Sequence, residues 1–174
     1  VTEFKALFDQ AEKNENSAMA AKVSRLLLKH GKTVAVAESM TGGLLSQKLT
    51  MLPDSSQFFV GGVVCYHPRI KVQYCGVDPK TIASDGVVSE AVAMALASGI
   101  KKRFATDLGI SVTGAAGPNP HGGAAVGTVW VGISAAEETK AKRFFFKGTR
   151  SEIQMAAAEA ALSLIWIHFG ELEI

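Results

Sequence analysis

A hydroxyl at Ser39, a phenol at Tyr66 and an amine at Lys71 are side chains that can together make a nucleophile without histidine. Serine alone is a poor nucleophile. A neutral lysine can take its proton, but a free lysine titrates near ~10.4. The amine must therefore be buried, where the charged form is disfavoured and the pKa falls. Ser39 lies in VAVAESMTGG, residues 34–43, an apolar run of small and β-branched residues that ends in polar residues and glycines. Such a run reads as a buried strand, and its tail as a tight turn into a helix starting near Leu44. Open α/β sheets bind ligands where strands end and helices begin, which places Glu38, Ser39 and Thr41, with Gly42 and Gly43 in the turn, at a candidate site. The plainer alternatives stay open at this level. Ser39 or Thr41 also reads as a helix N-cap, Tyr66 as packing with a wet hydroxyl, and Lys71 as a solvated helix lysine.

The elements that must position these groups follow the hydrophobic pattern. Residues 17–30 form a helix with Met19, Val23, Leu26, Leu27 and Leu28 on its apolar face and Gly31 as its stop. Phe4, Leu7, Phe8 and Ala11 have helix spacing as well, so residues 1–16 read as a short helix or an arm. A strand at 33–38 and a helix at about 42–51, ended by Pro53, come next. FFVGGVVCY, 58–66, is continuously apolar and reads as a second buried strand, bulged or closely approached at Gly61 and Gly62. A short helix over 67–74 starts with Pro68 and stops at Gly76. DPKTIASDG, 78–86, reads as turn chemistry with one helical turn, and 88–104 as a strong helix capped by Ser89. Strands follow at 108–113, 126–135 and 140–146, the last two joined as a hairpin, and a helix from about Ser151 to Phe169 closes the chain. Crossover helices imply parallel pairs and the hairpin one antiparallel strand, giving an α/β fold with a mixed, mainly parallel five-stranded sheet and helices on both faces.

Composition bounds the function. The 174 residues, 48% apolar and 20% charged, fit a single domain with a sizeable core. A net charge of +2 without a basic run gives no footprint for nucleic acid. No apolar stretch reaches membrane-spanning length. Two cysteines, Cys65 and Cys75, suit a reducing compartment, so a cytoplasmic location is expected. The four histidines are dispersed without ligand-spaced partners, so no metal site is expected. Neither a P-loop nor a G-x-G-x-x-G pattern occurs, so no nucleotide cofactor is expected. The turn T113-G-A-A-G-P, beginning at Thr113 and Gly114, could aim several backbone N–H groups at an oxyanion or phosphate, or could simply be a tight turn.

In their order, AESMTGG, GGVVCY with Lys71 five residues beyond Tyr66, DGVVSE, SVTGAAGP and VGTVW resemble the CinA C-terminal domain family, over about residues 20–169. That family includes stand-alone nicotinamide mononucleotide deamidases. The resemblance implies a three-layer α/β/α fold and a metal-free amidohydrolase converting nicotinamide mononucleotide and water to nicotinate mononucleotide and ammonia. It places the serine nucleophile on Ser39, the lysine base on Lys71, the assisting tyrosine on Tyr66, and substrate contacts at Thr113, Gly114 and Arg150. A guanidinium at a helix start suits phosphate, though Arg150 also reads as an exposed helix-end charge. The chain departs from the family pattern at Met40, at Pro68, Arg69 and Ile70, and in the shortened 117–125 loop with Ala124 and Ala125. Those changes motivate a second expectation, a nucleotide-binding paralogue without turnover. A homodimer is also expected, through the strand bearing Phe144, Phe145 and Phe146 if that strand lies at an edge.

Overall fold

The computed structural model describes residues 17–136 and 138–170. The arm or short helix expected over residues 1–16 lies outside them. Helix α1 (Ala18–His30) stops at Gly31, which takes the left-handed conformation at φ 57°. Strand β1 (Val34–Glu38) has all five residues buried. It leads through residues 39–43 into α2 (Leu44–Thr50). Strand β2 (Phe59–Val64) leads into α3 (Pro68–Cys75), with Pro68 in its first turn and Gly76 as its stop. The 78–86 segment holds more helix than the single turn its sequence suggested: α4 (Pro79–Asp85) is seven residues long because Asp78 caps the amide of Lys80 and Pro79 presets the first turn. Then come α5 (Glu90–Phe104), capped by Ser89, β3 (Leu108–Gly114), β4 (Thr128–Ala135), β5 (Glu138–Phe145) and α6 (Arg150–Gly170).

The sheet order is β2-β1-β3-β4-β5. The pairs β1–β2 and β1–β3 are parallel, and β4 runs antiparallel to both β3 and β5. One face is covered by α1, α2 and α6 over a core that includes Val36, Ile110, Val112, Val129, Val131 and Leu162. The other is covered by α3, α4 and α5 over Ala35, Ala37, Cys65, Val92, Leu96 and Ile100. This is the expected three-layer arrangement. No helix among the described residues is long and apolar enough to cross a membrane.

Strand β2 corrects one expectation. Its continuous apolar sequence read as a strand buried on both sides, but it lies at the sheet edge, and Val60 and Val64 are about half exposed. Its pairing with β1 slips once, with Phe59 opposite Val34 and Gly61 opposite Ala35, so Val60 is the extra residue of a bulge. Gly62 is required by close approach: a Cβ there would stand 2.6 Å from Val36 Cγ2. Gly99 plays the same part between helices, since its Cβ would overlap the carbonyl oxygen of Cys75 where α5 rests on α3.

Candidate active site

The parallel strands β1, β2 and β3 deliver their C-terminal ends to one end of the sheet, where an α/β fold places its ligand crevice. Ser39 directly follows β1 and is held by its own amide, which donates to the Val112 carbonyl of β3 at 2.9 Å. Lys71 sits in the first half of α3. Because β2 pairs beside β1, the two residues, 32 apart in sequence, meet: Lys71 Nζ donates to Ser39 Oγ at 2.7 Å. Nζ also donates to the carbonyl oxygen of Cys65 at 2.8 Å. Lys71 is 1% exposed and Ser39 9%. Burial pushes the Lys71 amine below its ordinary value, with Cys65 and Cys75 opposing that shift more weakly. No carboxylate hydrogen-bonds the amine. A base of this kind has one lone pair and two N–H bonds when neutral. The Cys65 carbonyl holds one N–H, which fixes the lone pair toward Ser39.

A cleft of about 360 Å³ opens over Ser39, walled by Met40, Tyr66, His67, Pro68, the 114–121 segment and Arg150. That volume is in the range of small-molecule sites. Tyr66 lies at the mouth of this cleft, 56% exposed. Its hydroxyl accepts from Arg150 Nη2 at 2.7 Å, and among the described residues it makes no hydrogen bond to Ser39 or Lys71. Arg150 Nη1 donates to the Gly117 carbonyl at 2.6 Å. The pair therefore forms a bridge between β2's end and the loop after β3. The start of α6 is fixed by a capping box that the sequence T149-x-x-E152 carries: the Thr149 amide donates to Glu152 Oε2 at 2.7 Å, and the Glu152 amide to Thr149 Oγ1 at 3.4 Å.

Four other candidate positions are used differently from the sequence expectation. Glu38 is fully buried and turned into the start of α2, where its carboxylate accepts from the amides of Gly43, Leu45 and Ser46 and from the Ser46 hydroxyl. It faces the helix rather than the cleft because α2 has no side-chain cap of its own. The amide of Gly43 is thereby committed, and that of Gly42 donates to the Ser39 carbonyl. The Thr113 hydroxyl donates to the Val87 carbonyl at 2.7 Å, away from the cleft wall that Gly114 forms. Among the described residues, the Met40 and Thr41 amides are the two in the 39–43 turn that donate to no protein acceptor, so they are the ones available to an oxyanion. Met40 itself is anchored by Gln154 of α6, whose Nε2 donates to its carbonyl at 2.7 Å. Nothing in the local sequence pointed to Gln154.

Thr41 carries a hydroxyl that is buried without a hydrogen-bond partner. Such a group costs on the order of 1–3 kcal/mol. Thr41→Val keeps the shape and removes that hydroxyl, so the variant should melt at or above the parent temperature. A calorimetric scan showing a clear drop would mean the hydroxyl is satisfied after all.

His67 caps α3 by accepting from the Arg69 amide at 3.2 Å, and no group of metal-ligating side chains is present among the described residues.

Comparison with known proteins gives a consistent result. The chain is 46% identical over 133 residues to a CinA-like protein of Gemmatimonas aurantiaca, covering 75% of this chain and 31% of that one. It is 46% identical over 138 residues to a CinA-like protein of Acidobacterium capsulatum, covering 78% and 33%. The chain thus spans about a third of the length of these relatives. Among solved structures, it superposes on the competence damage-inducible protein A of Klebsiella pneumoniae with a TM-score of 0.86 at 32% identity, over 90% of this chain and 98% of that one. A CinA superfamily protein from Klebsiella pneumoniae 700603 gives a TM-score of 0.87 at 28% identity, over 91% and 99%. Residues 16–168 match the family model described as the CinA C-terminal domain, and the chain belongs to that family.

Proposed function

We propose that this domain hydrolyses the carboxamide of nicotinamide mononucleotide, giving nicotinate mononucleotide and ammonia. The observation that carries the reading is the buried Lys71 amine 2.7 Å from Ser39 Oγ. With the amine neutral, the Ser39 hydroxyl donates to its lone pair. As Oγ attacks the carboxamide carbon, the proton passes to Nζ. The tetrahedral oxyanion is met by the free Met40 and Thr41 amides, each such donor being worth about 3 kcal/mol. The Lys71 ammonium then returns the proton to the departing nitrogen, which leaves as ammonia. Water attacks the resulting ester, again giving its proton to Nζ, and Ser39 is restored. Arg150, at the cleft mouth, keeps guanidinium donors for the phosphate. Tyr66, bonded to Arg150, would hold that guanidinium and bound substrate in place; a relay to Ser39 would require its hydroxyl to leave Arg150.

The test is ammonia release from nicotinamide mononucleotide by the purified protein. The Tyr66–Arg150 bridge across the cleft favours a second reading, a nucleotide-binding domain without turnover. That reading predicts calorimetric binding of the nucleotide with no ammonia.

The buried amine also fixes two pH dependences of known sign. kcat/KM should rise with pH to a plateau, with its midpoint below the ~10.4 of a free lysine. Stability moves the same way. The folded-state pKa lies below the unfolded value, so between the two the unfolded chain binds more protons and stability climbs with pH. The climb ends near ~10.4. Melting curves of the parent and Lys71→Met across that window should separate in this sense, because the variant lacks the climb; parallel curves would place the ammonium, not the amine, in the fold.

A further inference from the structure

The two edges of the sheet are unlike. The β5 edge exposes Glu138, Lys140, Lys142 and Arg143, the charged guard that keeps an edge from pairing with another strand. The β2 edge has no such guard. Its exposed residues alternate as Val60, Gly62 and Val64, and Met51 and Tyr66 nearby are each more than half exposed. A fifth of this chain is charged, yet residues 39–68 contain only Lys48 and Asp54. Lys48 is buried and paired with Glu159 at 2.5 Å, so Asp54 is the sole charge this segment presents to solvent.

What fits such an edge is determined by its chemistry. The outward main chain of β2 offers N–H and C=O groups that an extended strand matches. A charge-free rim gives nothing to an acidic or basic partner. It does suit a second copy of this chain, because two-fold pairing sets each residue against its symmetry counterpart and penalises any charge near the axis. The exposed pattern is also the same in both directions. With the axis at Gly62, antiparallel pairing puts glycine against glycine and Val60 opposite Val64 at both ends.

We propose that the chain forms a two-fold dimer by antiparallel pairing of β2 with β2 of a second copy, joining two sheets into one of ten strands. The β5 edge, with Phe145 exposed among its charges, is not the interface. The dimer braces the strand that ends at Cys65, whose carbonyl holds Lys71.

Sedimentation of the full chain at micromolar concentration tests this. The parent should run at about twice its 18.3 kDa mass. Val60→Lys with Val64→Lys sets lysine against lysine and should give a monomer, its dissociation constant raised at least a hundredfold, with an unchanged circular dichroism spectrum. Val60→Lys with Val64→Glu sets lysine against glutamate and should restore the dimer. Phe145→Lys should remain dimeric. A monomeric parent, a dimeric double-lysine variant, a Lys/Glu variant as monomeric as the double-lysine one, or a monomeric Phe145→Lys would each overturn the proposal.

Discussion

Ser39→Ala and Lys71→Met should each lower the rate of ammonia release from nicotinamide mononucleotide by about a thousandfold or more, and the double variant should be no worse than either alone. The reason is that the two groups act as one unit. Without the hydroxyl there is no nucleophile for the amine to activate, and without the amine the hydroxyl cannot lose its proton at neutral pH. Residues that share one step in this way give strongly non-additive losses. The 2.7 Å contact is the physical basis for expecting it here. The variants also separate chemistry from binding. Ser39→Ala removes only an oxygen from a half-open cleft, so the nucleotide should still bind by calorimetry with little change. Lys71→Met fills the same buried tunnel with an apolar chain and leaves the Cys65 carbonyl without its donor. Multiplying losses, or a double variant a further hundredfold below the singles, would show two independent contributions and end the nucleophile–base assignment.

Much of this arrangement was readable from sequence, and the parts that were not share a cause. Strand β1, the Ser89 cap of α5, and the Pro68 and Gly76 ends of α3 are local signals, set by residues within a turn of one another. The order of strands follows from crossover connections, and adjacency of β1 and β2 is what allows Ser39 to reach Lys71. The edge position of β2 was not legible because an apolar strand in the middle of a sheet and an unguarded one at its border have the same composition. Only the neighbours distinguish them. Tyr66 illustrates the limit for sites: its position after a strand gives its neighbourhood, while its hydroxyl partner is Arg150, 84 residues on, at the start of a helix from the opposite layer. Gln154 was invisible for the same reason. The Thr149–Glu152 capping box, by contrast, stood in the sequence in full and would have fixed the start of α6, and with it the place of Arg150.

Glu38→Ala should cost about 3–5 kcal/mol of stability, a large share of what a domain of this size possesses. The carboxylate is the sole side chain closing the N-terminal turn of α2 among the described residues. Its Oε2 accepts from the Gly43 and Leu45 amides, each at 3.0 Å, and its Oε1 from the Ser46 amide at 2.8 Å and hydroxyl at 2.6 Å. Removing it strands three amides in a site closed to water, each worth on the order of 1–3 kcal/mol when unpaired. It also removes a negative charge from the positive end of a helix. At roughly 2–4 °C per kcal/mol, the melting temperature should fall by about 10 °C or more. Glu38→Gln keeps one acceptor oxygen and should lose about half as much. Both variants leave the cleft walls intact but loosen the turn that carries Ser39, so kcat should fall while KM stays near the parent value. A KM rise with kcat unchanged would instead put the carboxylate against the substrate. An alanine variant melting with the parent would mean that α2 is held by its packing alone, and that the 39–43 turn keeps its shape without this anchor.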